Sequence, residues 1–256
     1  MILKAGTMSN QIVRVGSVSY INARPLLYGF EQGMMSHEVE LVRDYPAAIA
    51  DKLIKGDIDV GLVPVAIIPK LAYHQVISDF GIACDGEVAS VCLFSDQPIE
   101  QISGILLDYQ SRSSVALLKV LLKEHWKIAP QLIDSAPGYE MDIQGTKAGL
   151  VIGDRALELR GKHPYMYDLG QAWKAMTGLP FVFAAWISNR PLPVDFCRKF
   201  NDSTSLGLSQ LNTVIAENPY PFFNLQEYYT RFIKFRLDTR MHEAIALFLN
   251  KLGSSS

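Results

Sequence analysis

Three short polar segments and one isolated serine could do chemistry, and each stands at or inside an apolar run. The segment Val18-Ser19-Tyr20-Ile21-Asn22-Ala23-Arg24-Pro25 follows the strand-forming Ile12, Val13 and Val15. Asn22 suits a helix N-cap, and Pro25 suits a first helical turn, where a missing N–H costs nothing. Free N–H groups, the Ser19 hydroxyl and a side-chain amide then gather off the end of a strand. Such a cluster fits an anionic or polar small molecule, and it equally fits an ordinary strand–helix junction. Residues 108–114 follow the apolar 104–107 and open a helix. Ser111, Ser113 and Ser114 bring hydroxyls and Arg112 a guanidinium to that helix N-terminus, either as a carboxylate site or as simple capping. Gly153 and Asp154 follow the apolar 149–152, again as polar groups at a strand's carboxyl end or as a cap paired with Arg155. Ser90 lies within the apolar 88–94, where a serine either bonds locally or faces a cleft.

Other chemistries find no residues to carry them. None of the five histidines has a partner four residues on, and no Cys/His/Asp set has ligand spacing, so no metal is expected. There is no Walker loop, no Gly-x-Gly-x-x-Gly and no Gly-x-Ser-x-Gly, so neither a nucleotide cofactor nor a hydrolase elbow is expected. A net charge of −2 with no basic stripe excludes the electrostatic footprint of a nucleic-acid binder. No apolar run is long enough for a membrane span, and residues 1–7 do not resemble a secretory signal. Three cysteines, an odd number, read as core thiols of a reducing compartment, so the expected location is the cytoplasm. Residues 1–10 and the terminal Gly-Ser-Ser-Ser are expected to be frayed. Oligomeric state is not legible.

The elements that must position these residues alternate. Strands are expected at 11–18, 39–43 and 58–63, with helices at 26–31 and 49–55. Asp44 is the expected cap of the second helix, Pro46 lies in its first turn and Gly56 stops it. That rhythm implies a parallel, doubly wound α/β sheet. A second series follows: strand 104–107, helix 113–125, strand 131–133, helix 139–144, strand 149–152. Helices at about 194–217, 225–235 and 239–252 end the chain, the last capped by Asp238 and stopped by Gly253. The long apolar runs 88–94 and 181–187 read as paired crossover strands between two lobes. Residues 11–90 with 188–256 then form lobe 1 and residues 91–187 form lobe 2, with the ligand in the cleft between them. A single continuous sheet is the alternative.

Taken together, the segments resemble the chorismate dehydratase family of the futalosine route to menaquinone. The matching words are Arg14-Val15-Gly16-Ser17-Val18-Ser19-Tyr20-Ile21-Asn22 with Pro25-Leu26, Gly56-Asp57-Ile58-Asp59-Val60-Gly61-Leu62-Val63-Pro64, and Ser90-Val91-Cys92-Leu93-Phe94-Ser95. They continue with Ser111-Arg112-Ser113-Ser114-Val115, Ile152-Gly153-Asp154, Tyr167-Asp168-Leu169-Gly170, and Thr177 to Phe183 with Trp186. They fall in the family's order from about residue 13 to 190. The resemblance implies an α/β, two-lobed, periplasmic-binding-protein-like (type II) fold with two crossover strands at the hinge. It also implies a hydro-lyase that eliminates water from chorismate, with no cofactor. Catalytic roles fall on Asn22 and Ser90. Substrate contacts fall on Ser19, Ser111, Arg112, Ser113, Ser114, Gly153 and Asp154. Ser113 replaces a common threonine and keeps the hydroxyl, whereas Gln171 replaces a common glutamate and loses a carboxylate. Two alternatives stand beside this reading: 1,4-dihydroxy-6-naphthoate synthase, whose Ser-Pro-Cys-Pro-Asn-Asp opening differs from Ser-Tyr-Ile-Asn-Ala-Arg here, and a non-catalytic solute-binding protein for a small anion.

Overall fold

The computed structural model describes residues 12–253. The expectations for residues 1–11 and 254–256, including the frayed termini and the missing signal, lie outside the described residues. Strands β1 (Val13–Val18), β2 (Val39–Asp44), β3 (Val60–Pro64) and β4 (Gln75–Cys84) come first. They are followed by β5 (Val91–Ser95), β6 (Gly104–Leu107), β7 (Gln131–Asp134), β8 (Lys147–Ile152) and β9 (Tyr165–Asp168), then by β10 (Phe181–Ser188) and β11 (Lys234–Arg236). The fold is α/β with two mixed sheets, in the orders β11-β4-β10-β3-β1-β2 and β7-β6-β8-β5-β9.

Each sheet has the same plan. Three parallel strands, β2-β1-β3 in one and β7-β6-β8 in the other, continue into an antiparallel strand that closes the group. That strand is β10 in the first sheet and β5 in the second. These are the two long apolar runs, and both are apolar because each lies between two other strands with its faces covered. They do not pair with each other as expected. Instead β10 pairs with β4, and Phe181 stands opposite Cys84. The expected partition that ends lobe 2 at residue 187 therefore shifts, because residues 181–187 belong to the first sheet and the return crossing precedes Phe181.

Helices α1 (Arg24–Glu31), α2 (Pro46–Lys55), α3 (Arg112–Leu121), α4 (Gly153–Leu159) and α5 (Leu169–Thr177) follow strand ends. The C-terminal part holds α6 (Val194–Ser209), α7 (Leu211–Glu217), α8 (Leu225–Glu227) and α9 (Thr239–Gly253). Local chemistry explains several boundaries. Pro46 starts α2, and Gly56, at φ 80°, stops it in the left-handed conformation. Tyr45, not Asp44, holds the N-cap position, because the Asp44 carboxylate is taken by the Tyr45 N–H at 2.9 Å and by Lys52 at 2.7 Å. Asp238 caps α9 as expected, accepting from Met241 N–H at 2.9 Å. The expected helix over 225–235 is three α-helical residues, a π-helical turn over Tyr228–Phe232 and then β11.

The main apolar core runs through both halves without a break, from Val15 and Leu62 under the first sheet to Leu93, Ile105 and Leu118 in the second. Trp186 on β10 stacks edge-on against Phe200 of α6, with ring centroids 5.0 Å apart. Trp173 of α5 packs on Phe181 in the same manner at 5.2 Å. Such edge-on aromatic pairs add to the stabilisation from burial. Cys84 and Cys92 are buried free thiols, and Cys197 is partly exposed.

Candidate active site

Strand ends from both sheets meet around a narrow cavity of about 50 Å³. Val18, Tyr20 and Asn22 line it from the end of β1, and Leu62 and Pro64 from β3. The other side is Ser90, Val91, Ser111, Ser114, Ile152 and Gly153. Among the described residues lining it, none is Lys, Arg, His, Asp or Glu, and the sole ionisable side chain is Tyr20. Burial and the nearby Asp108 carboxylate hold the Tyr20 phenol well above its ordinary range, so it stays protonated. The walls are apolar, and the chemistry left to them is hydrogen bonding and shape.

Asn22 is not a helix cap. It sits inside a 3-10 turn, Ile21–Ala23, whose N-cap position is Tyr20, and α1 begins after Ala23. Its Oδ1 is buried with no hydrogen-bond partner. The Ile21 N–H, expected to be free, is taken by Asp154 at 3.1 Å. Ser90 lies just ahead of β5 and not within a strand. Ala89 before it has φ 64°, the left-handed region that costs a residue with a Cβ about 1–2 kcal/mol. Asp168 holds that bend: its carboxylate accepts from Ala89 N–H at 2.8 Å and Val88 N–H at 3.0 Å, while capping α5 through Gln171 N–H at 3.0 Å. Tyr228 donates to Ser90 Oγ at 2.7 Å, and the Ser90 carbonyl accepts from Gly153 N–H at 2.8 Å. Gly153 has φ 64°, and a Cβ there would press on the Tyr20 ring at 3.2 Å, so glycine is needed on both counts.

The remaining expected residues divide. Ser111 and Ser114 line the cavity while capping α3. Ser111 Oγ accepts from Ser114 N–H at 3.1 Å and donates to Ser114 Oγ at 2.7 Å. Gly153 also lines it. Ser19, Arg112, Ser113 and Asp154 do not. Ser19 is exposed. Arg112 pairs with Asp51 of α2, and Ser113 Oγ accepts from Ala66 N–H at 3.2 Å; both bonds cross between the sheets. Asp154 likewise crosses to Ile21, and burial pushes its carboxyl up to about 6 against that hydrogen bond. Behind the cavity, buried Asp108 accepts from Tyr139, Ile152 N–H and Arg155, and Tyr20 hydrogen-bonds to Gln110.

Sequence reasoning missed Tyr228 and the clasp by Asp168. The density of aromatic residues over 220–229 was the available signal for the first, and the Asp-Leu-Gly word was the signal for the second. No group of three potential metal-ligating side chains forms among the described residues, and no helix there is long and apolar enough to cross a membrane.

The family model for menaquinone biosynthesis matches residues 13–253. A chorismate dehydratase of Thermus thermophilus is 30% identical, over 78% of this chain and 79% of the relative. One from Campylobacter jejuni is 28% identical over 72% of each. Among solved structures, protein AF1704 of Archaeoglobus fulgidus superposes with a TM-score of 0.79 at 13% identity, covering 97% of this chain and 98% of that one. The periplasmic aliphatic sulphonate binding protein of Escherichia coli superposes at 0.60 with 17% identity, covering 95% and 86%. These structural likenesses establish a periplasmic-binding-protein-like, two-lobed fold.

Proposed function

The chain belongs to the menaquinone biosynthesis family, and from that membership we propose that it eliminates water from chorismate to give 3-[(1-carboxyvinyl)oxy]benzoate, a hydro-lyase reaction. The observation that carries the reading is a cavity walled by apolar groups, hydroxyls and one amide, with no side-chain acid–base pair. Loss of water from chorismate makes the ring aromatic, so the driving force lies in the product. The enolpyruvyl carboxylate of the substrate takes the ring proton. The C–H electron pair enters the ring, the C–O bond breaks, and the departing hydroxide with the abstracted proton makes water. The reaction is redox-neutral and balances without a co-reactant.

The protein's part is orientation and electrostatic support. Ser90 assists departure of the hydroxyl, Asn22 hydrogen-bonds the reacting groups, and Ser111 and Ser114 meet a carboxylate at the N-terminus of α3. Apolar walls exclude water, which strengthens each of these hydrogen bonds. Three free thiols, two of them buried, fit a reducing compartment, and we place the protein in the cytoplasm. The test is incubation of pure protein with chorismate and mass analysis. The expected product is lighter by one water. Chorismate recovered intact overturns the reading, and intact chorismate that binds tightly marks a solute-binding protein.

A further inference from the structure

The buried Tyr228 phenol sits behind the cavity, on the π-helical turn over Tyr228–Phe232, and does not line it. It touches one of the residues assigned to the reaction and stands beside the other. Its hydroxyl donates to Ser90 Oγ at 2.7 Å, and Asn22 is a near neighbour of the same phenol. A π-helical turn is an uncommon element that recurs at functional sites, and here it carries a tyrosine from the C-terminal part of the chain to the back of Ser90.

Counting hydrogens fixes the polarity of the group. A phenol has one hydrogen, and Tyr228 gives it to Ser90. Ser90 therefore spends a lone pair on Tyr228. Its own hydrogen goes to the Val88 carbonyl at 3.5 Å, the far limit of a hydrogen bond. So weak a bond leaves that hydrogen free to turn to the cavity. The Asn22 Oδ1 is buried and unpartnered. A buried acceptor without a partner is rare in a finished interior and costs free energy until a ligand fills it. The site thereby offers one donor, Ser90 Oγ–H, and one acceptor, Asn22 Oδ1. A hydroxyl group is the ligand that needs both.

We propose that Tyr228 is a positioning residue, which orients Ser90 as a donor so that, together with the unpartnered Asn22 Oδ1 as acceptor, it grips the leaving hydroxyl of the substrate. This rests on the assignment of Ser90 and Asn22 to the reaction. As the C–O bond lengthens and charge builds on oxygen, the Ser90 hydrogen bond strengthens, which is stabilisation specific to the transition state. Burial keeps the Tyr228 phenol well above its ordinary range, so it holds its proton and acts through Ser90.

The experiment is a cycle of Tyr228→Phe, Ser90→Ala and the double variant, read by kcat, KM and melting temperature. Tyr228→Phe keeps the ring and should lower kcat roughly tenfold, the scale of one hydrogen bond, with KM little changed. In the Ser90→Ala background it should cost nothing more, because the partner through which it acts is gone. An equal loss in both backgrounds, or an unchanged kcat in Tyr228→Phe, overturns the proposal. A Ser90→Ala enzyme as fast as wild type overturns the assignment of Ser90 itself, and the proposal with it. Should Tyr228→Phe fail to fold, 3-fluorotyrosine at position 228 keeps ring and hydroxyl but changes its acidity. A shifted kcat at unchanged melting temperature then supports the role, and an unchanged kcat removes it.

Discussion

Asn22 is the residue at which stability and activity should separate most clearly. As a helix cap it would contribute about 1 kcal/mol to folding. In the structure it caps nothing, and its buried Oδ1 has no partner. Removing such an acceptor relieves a penalty of about 1–3 kcal/mol, offset by lost packing. Asn22→Ala should therefore leave unfolding free energy within about 1 kcal/mol of wild type while slowing turnover roughly 10²–10³-fold, the usual loss for one hydrogen-bonding group aimed at a transition state. Urea unfolding beside kcat checks both halves, and a folded variant with wild-type kcat clears Asn22 of a role. Its place at the site was legible because it ends an apolar strand within a specific word. Its orphaned acceptor was not legible, because burial without a partner is set by the folded surroundings and not by the local word.

Helix α3 presents neighbouring serines to different surroundings. Ser114 faces the cavity, and Ser113 one position earlier faces Ala66 of the other lobe. Successive helical residues point about 100° apart, so the two hydroxyls cannot share a ligand. Ser114→Ala should weaken binding of the product by at least about tenfold, given about 1.5–3 kcal/mol for a hydrogen bond to a charged group. Ser113→Ala should lower the melting temperature and leave that affinity unchanged. Titration calorimetry distinguishes them, and equal affinity losses would contradict this division. Composition showed that hydroxyls crowd this helix start but not which way each points. Strand β4 was missed for a related reason. Its Ser78, Asp79 and Gly81 interrupt the apolar pattern, and its ladder with β10 shifts register twice. The runs 88–94 and 181–187 were legible as special strands, yet their partners were not, since an apolar run reveals burial and not neighbours.

At the scale of the molecule, the lobes meet through polar contacts that cross the cleft, and Asp154 makes one whose strength depends on pH. Its carboxyl faces Ile21 N–H, Glu158, Arg24 and Arg155, with the phenols of Tyr220, Tyr228 and Tyr229 nearby. Its folded value of about 6 lies above that of an unfolded aspartate. The folded state thus binds the extra proton. The contribution is fully present below about pH 4 and is lost as pH rises through 6. The substitution Asp154→Asn keeps a carbonyl oxygen to accept from Ile21 N–H and removes the charge. Relative to wild type, that variant should gain of order 2 kcal/mol between pH 4.5 and 7.5. Urea unfolding of both proteins at the two pH values measures it, and a difference that does not vary with pH refutes the buried-charge account.

The position of β10 also governs the order in which the protein can be completed during synthesis. It is an interior strand of the first sheet, between β4 and β3, yet it leaves the ribosome after every strand of the second sheet. The second sheet is contiguous in the chain, and all its strands have been made once Asp168 has emerged. The first sheet must wait as two separate pieces, β2-β1-β3 and the unpartnered β4, until Phe181–Ser188 arrives to join them. Translation therefore completes the strand set of the later-encoded sheet before that of the earlier one, and the place between Val60–Pro64 and Gln75–Cys84 stays without its strand until Phe181–Ser188 is made.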